Sequence, residues 1–143
     1  MIPFAFRGAL ALSALAVTVA GQHHPPQVTD AWARPQPDAR MMSALYFVVR
    51  NPTSRSVTLT AVSCGGVAMA HLHQTVDSAG VLRMVPLDSV AVPARDSVAF
   101  RPRGMHVMLM GLSAPLAPGG TLRCTAVLSG GQRLPFTAAV RAP

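Results

Sequence analysis

At 143 residues the chain has room for one domain, and its 12 basic side chains, all arginine, outnumber 5 aspartates to give a formal net charge of +7. The arginines stand singly (Arg34, Arg50, Arg83, Arg101, Arg123, Arg133), with no run and no aromatic platform between them, so a nucleic-acid partner is not expected. Glutamate is absent, and no serine or cysteine sits in a recognisable nucleophile setting, so the chain does not read as an enzyme.

Residues 1–20 read as an export signal. Arg7 supplies the early positive charge, Gly8–Ala20 is an apolar stretch, and Thr18 and Ala20 are small residues at which a signal peptidase could cut. As a helix that stretch covers only about 20 Å, short of the ~30 Å bilayer core, so stable membrane insertion is not expected after cleavage. No cysteine follows it directly, which argues against a lipid anchor. Residues 21–30, GQHHPPQVTD, read as a flexible lead, and 31–143 as one β-domain. Short apolar or alternating segments are punctuated there by Gly, Pro, Asn, Asp and Ser. The predicted strands are 43–50, 56–62, 67–74, 81–85, 97–101, 105–111, 121–128 and 132–140. Their spacing is that of an all-β sandwich or barrel. Cys64 and Cys124 form an even pair in an exported chain, which favours a disulfide, with two separately buried thiols as the alternative.

Methionine and histidine concentrate in VAMAHLHQ and GMHVMLMG. Side chains alternate faces along a strand, so Met69, His71 and His73 share one face, opposite Ala68, Ala70 and Leu72. Likewise His106, Met108 and Met110 share a face, opposite Met105, Val107 and Leu109. Each strand thus offers an apolar side for a core and a His/Met side for another purpose. Asp77-Ser78-Ala79-Gly80 is a four-residue turn candidate. A hairpin symmetric about it sets His73 opposite Met84. Neutral imidazole and thioether donors suit Cu(I), whereas hard cations want carboxylate oxygens. The candidate metal ligands are therefore His73, Met84, His106 and Met108, with His71 and Met110 as auxiliary candidates.

The spacing His73-x10-Met84-x21-His106-x-Met108 resembles the periplasmic copper chaperones of the PCu(A)C type. Asp30-Ala31-Trp32-Ala33-Arg34 is similar to that family's opening, Ser43–Asn51 to its first long strand, and Gly104–Leu112 to its most recognisable segment. The resemblance implies a single-domain, cupredoxin-like Greek-key β-sandwich, periplasmic and monomeric. It also implies that the four-residue motif binds Cu(I) and that a copper-accepting oxidase subunit or assembly factor receives it for the Cu(A) centre of cytochrome c oxidase. The His/Met-rich C-terminal tail of some members has no counterpart here.

Blander readings attach to several residues. A lone methionine on a strand is usually core filler, the reading taken for Met41, Met42 and Met105. His23 and His24 read as surface residues, Trp32 and Tyr46 as packing, and Arg34 as a strand anchor. A blue-copper electron carrier needs a thiolate beside two histidines, which neither cysteine offers by spacing. The remaining alternatives are an exported adhesion or scaffold module with no metal role, and a general periplasmic copper storage or tolerance protein.

Overall fold

The computed structural model describes Ala16, Gly21 and residues 23–143. The expected export signal, 1–20, lies outside the described residues except for Ala16. Ten strands form among the described residues: β1 (Gln27–Ala33), β2 (Ser43–Asn51), β3 (Val57–Cys64), β4 (Val67–Ser78), β5 (Val81–Pro86), β6 (Val90–Val92), β7 (Asp96–Ala99), β8 (Met105–Leu112), β9 (Thr121–Leu128) and β10 (Arg133–Val140). There is no helix among the described residues. The eight expected strands are all present. β1 and β6 are additional, and β1 begins at Gln27, inside the stretch expected to be a loose lead. Val28 and Thr29 pair there with Val49 and Val48 of β2, which draws that stretch into the sheet.

Hydrogen bonding runs in the order β5-β4-β8-β2-β1-β10-β9-β3-β6, with β7 also paired to β2. Among the described residues β1–β10 is the one parallel pair, and the other pairs are antiparallel. The result is a Greek-key β-sandwich of one domain, its two layers closing over a shared core. Strand alternation supplies that core. Leu45, Phe47 and Val49 of β2 face inward, with Leu72 of β4 and Val107 and Leu109 of β8. From the other layer come Leu59 and Val62 of β3, Val90 and Val92 of β6, and Leu122, Ala126 and Leu128 of β9. Two register shifts rephase the alternation, at Thr29/Trp32 in β1 and Leu59/Ala61 in β3. The first coincides with a left-handed Asp30, φ 55°.

Cys64 and Cys124 are register partners in the β3–β9 pair, and their sulfurs are bonded. Met105 packs against the core, whereas Met41 and Met42 are 56% and 52% exposed and are not core filler. They sit at the end of the β1–β2 connection, where the Met41 amide donates to the Asp38 carbonyl, and only from Ser43 does the chain turn inward.

The register of β4 on β8 is held by a close approach. Gly111 lies in β8 with φ +68°, and a Cβ there would stand 2.6 Å from Ala68 Cβ. Both the left-handed backbone and the missing space require glycine. Gly111→Ala is expected to cost about 2–3 kcal/mol, read as a lowered urea midpoint with unchanged slope. A midpoint equal to the parent would contradict this packing.

Candidate metal centre

The His/Met residues meet on the outer face of β5-β4-β8. Across β4–β8 the register pairs are His73 with His106, His71 with Met108, and Met69 with Met110. Directly opposed residues hold their Cβ atoms about 4.5–5.5 Å apart on one face, so these three rungs form a continuous ladder. The ring centroids of His73 and His106 are 5.9 Å apart, those of His71 and His73 6.4 Å.

Met84 arrives by a different register from the one expected. The hairpin closes through a two-residue turn, Ala79-Gly80, with φ 53° and 83°, so Ser78 pairs with Val81. Two left-handed residues make the turn whose twist matches the flanking strands, and Asp77 Oδ1 accepts the Gly80 amide at 2.9 Å. Met84 therefore opposes Thr75, and Pro86 opposes His73. The offset from the expected pairing is two residues, a whole strand period, so Met84 stays on the face of His73 as its diagonal neighbour, within a long side chain's reach.

Burial differs sharply among the four motif residues. His106 is only 4% exposed, although it points away from the sandwich core. Residues of the β1–β2 connection line the same cavity as His106. Arg34, Met42, Tyr46, Met84, His106 and Met108 are among the residues lining a cavity of about 460 Å³. His73 is not among that lining; it is half-buried beside His106. Met108 is half-buried, and Met84 is 59% exposed on the edge strand. The auxiliary candidates differ too: His71 is exposed and Met110 half-buried.

Hydrogen bonding sets the state of His106. Its Nδ1 lies 3.1 Å from the Gly104 carbonyl, which can only accept, so Nδ1 carries the proton. In the neutral ring Nε2 then carries the lone pair. That atom is buried without a hydrogen-bond partner among the described residues, and so is His73 Nδ1 on the facing strand. Buried polar atoms are rarely left unpaired, so two of them on facing histidines call for an explanation. Burial first, then the neighbouring His106 and His71, hold the His73 imidazole below its ordinary value of 6.5.

The sign of that shift fixes a pH dependence. Between the lowered folded value and 6.5 the unfolded chain binds more protons at His73 than the folded one, so stability falls as pH drops through that window. Below it the contribution levels off. The expected result is a urea midpoint that declines on acidification below pH 6.5 and a weaker decline in His73→Gln. Equal slopes in the two proteins would contradict a desolvated His73.

The cavity rim is basic. Arg34, Arg83 and Arg103 line it, and no carboxylate does. Arg34 Nε donates to the Tyr46 hydroxyl at 3.0 Å, and the Tyr46 ring packs at a tilt of 36° on Trp32, with centroids 4.6 Å apart. The role of Arg34 and Tyr46 as walls of this cavity was not legible in the sequence, since it depends on the path of the β1–β2 connection. No group of three or more His, Cys, Asp or Glu side chains able to hold a metal occurs among the described residues.

A family model described as "Putative lipoprotein LpqE-like" matches residues 27–140. The "Putative lipoprotein Lxx21020" of Leifsonia xyli subsp. xyli is 31% identical over 134 residues, which covers 93% of this chain and 80% of that protein. Among solved structures, the copper-bound PCuAC domain from PmoF2 superposes with a TM-score of 0.69 at 23% identity, over 84% of this chain and 95% of that one. The solution structure of CuI-DR1885 from Deinococcus radiodurans superposes with a TM-score of 0.61 at 29% identity, over 88% and 85%.

Proposed function

Because the chain belongs to the LpqE-like family, matched over residues 27–140, we propose that it is an exported, periplasmic copper chaperone. It holds Cu(I) through His73, Met84, His106 and Met108 and passes it to a copper-accepting oxidase subunit or assembly factor during Cu(A) assembly. The observation that carries this reading is the pair of buried, unpartnered ring nitrogens, His106 Nε2 and His73 Nδ1, on facing strands with thioethers beside them. Support for copper as the cargo comes from CuI-DR1885, the Cu(I)-bearing structure that is 29% identical to this chain.

The chemistry follows from the ligand types. Two neutral imidazoles and two neutral thioethers select a soft, singly charged ion and leave its charge uncompensated, which suits holding and release over permanent retention. Release begins at Met84, the exposed ligand on the edge strand. A donor from the acceptor replaces its sulfur, then displaces Met108, while the two histidines hold the ion until the transfer is complete. The basic rim steers an acidic acceptor face toward the cavity.

The test is competition with a chromophoric Cu(I) chelator under anaerobic conditions. The parent binds one equivalent tightly. Met84→Leu and Met108→Leu each lose about tenfold in affinity, which is about 1.4 kcal/mol, with no change in fold. Unchanged affinity in both variants would contradict the assignment, and no tight equivalent at all would favour a scaffold or adhesion module.

A further inference from the structure

The ladder that carries His73 and His106 does not end with them. His71 opposes Met108 and Met69 opposes Met110 on the same outer face, toward the Gly111 end of the β4–β8 pair. Met69 is 51% exposed and His71 is exposed, and neither packs against the core cluster. An exposed thioether facing a second thioether, with an imidazole two residues away, has no packing role to explain it. The stretches Val67–His73 and His106–Leu112 contain no carboxylate, so nothing on this part of the face suits a hard cation. The Gly111–Ala68 approach keeps Met69 and Met110 in register. Opposed and diagonal positions here span about 5–8 Å between residues, gaps that two flexible thioethers and an imidazole can close around one ion.

We propose that Met69, His71 and Met110 form a second Cu(I) site, weaker than the first and open to solvent. Its cargo rests on the copper reading above; its donors are separate. Met108 lies opposite His71 and two residues from Met110, so it borders both sets. An ion landing at Met69 and Met110 can exchange one neutral ligand at a time, through His71 and Met108, and reach His106 without leaving the face. No electron or proton moves in such a step, since every donor is neutral before and after it. The site therefore serves loading, while the edge at Met84 serves delivery.

The experiment follows the methionine ε-methyl resonances of the full chain, labelled with ¹³C, during anaerobic titration with Cu(I) and in parallel with Ag(I). With the first equivalent the Met84 and Met108 methyls shift; with the second, those of Met69 and Met110. The Met69→Leu/Met110→Leu double variant and His71→Gln each weaken the second equivalent by about tenfold or more and leave the first within about threefold. Met69 and Met110 methyls that stay still through two equivalents overturn the second site. So does a second equivalent of equal affinity in every variant, as binding at His23 and His24 would give. Shifts at Met69 and Met110 with silence at Met84 and Met108 would uphold this site and overturn the four-ligand reading instead.

Discussion

His106→Gln is expected to lower Cu(I) affinity by more than about 100-fold, beyond the ~10–100-fold that loss of an outer partner of a metal ligand costs. His106 is the most buried residue of the motif, its proton is fixed on Nδ1 by the Gly104 carbonyl, and its Nε2 has no other partner. Glutamine keeps a polar side chain of similar reach but offers an amide oxygen, a hard donor and a poor match for Cu(I). The fold should survive with a loss of about 0.5–1.5 kcal/mol, since the Gly104 carbonyl loses one hydrogen bond but still accepts the Thr75 amide at 3.1 Å. His71→Gln supplies the comparison, because His71 is exposed and outside the four-residue set. It should leave the tight equivalent within about threefold. Comparable losses in the two variants would mean that the imidazoles act only through their summed surroundings. Chelator competition reads both.

Removing the disulfide gives the largest expected change in stability. Cys64 and Cys124 are bonded at a sequence separation of 60, so the bond closes a long loop in the unfolded chain. The chain-entropy relation gives about 4 kcal/mol for a loop of that length. The Cys64→Ala/Cys124→Ala variant should therefore show a much lower urea midpoint than the oxidised parent. The reduced parent should fall with it, which separates loss of the bond from loss of side-chain volume. Copper affinity of the folded variant should stay within about threefold, because Cys64 adjoins the Val67 end of β4 whereas His73 and His106 pair six residues further along that strand. A stability loss under about 1 kcal/mol would show that the unfolded chain is already compact around this pair.

Much of the fold was legible because it rests on local alternation. Leu45-Phe47-Val49 and Val107-Leu109 announce strands with one buried face, and period two assigns His106 and Met108 to the other. What was not legible depends on contacts distant in sequence or on backbone states that the residue type does not signal. Ala79 takes a left-handed conformation that nothing but Gly80 beside it hints at, so a four-residue turn was the natural reading and the hairpin register came out two residues off. The error cost the site nothing, because a shift of two keeps every side chain on its face. β6 is three residues long, Val90–Val92, too short for alternation to stand out before Pro93. The burial of His106 was invisible for another reason. Arg34, Pro35, Gln36 and Met42 of the β1–β2 connection share a cavity with it from more than 60 positions upstream, so Met42 lines a cavity and does not fill a core. The Cys64–Cys124 bond, by contrast, was expected from an even pair in an exported chain, although the β3–β9 register that sets the two opposite each other was not.

Whether four neutral side chains from β4, β5 and β8 share one ion is best decided by X-ray absorption at the copper edge of the protein loaded with one equivalent of Cu(I). The account predicts nitrogen and sulfur neighbours in equal number, with one sulfur lost in Met84→Leu and one in Met108→Leu. A shell of nitrogen and oxygen alone, or a sulfur count that neither substitution changes, would contradict it.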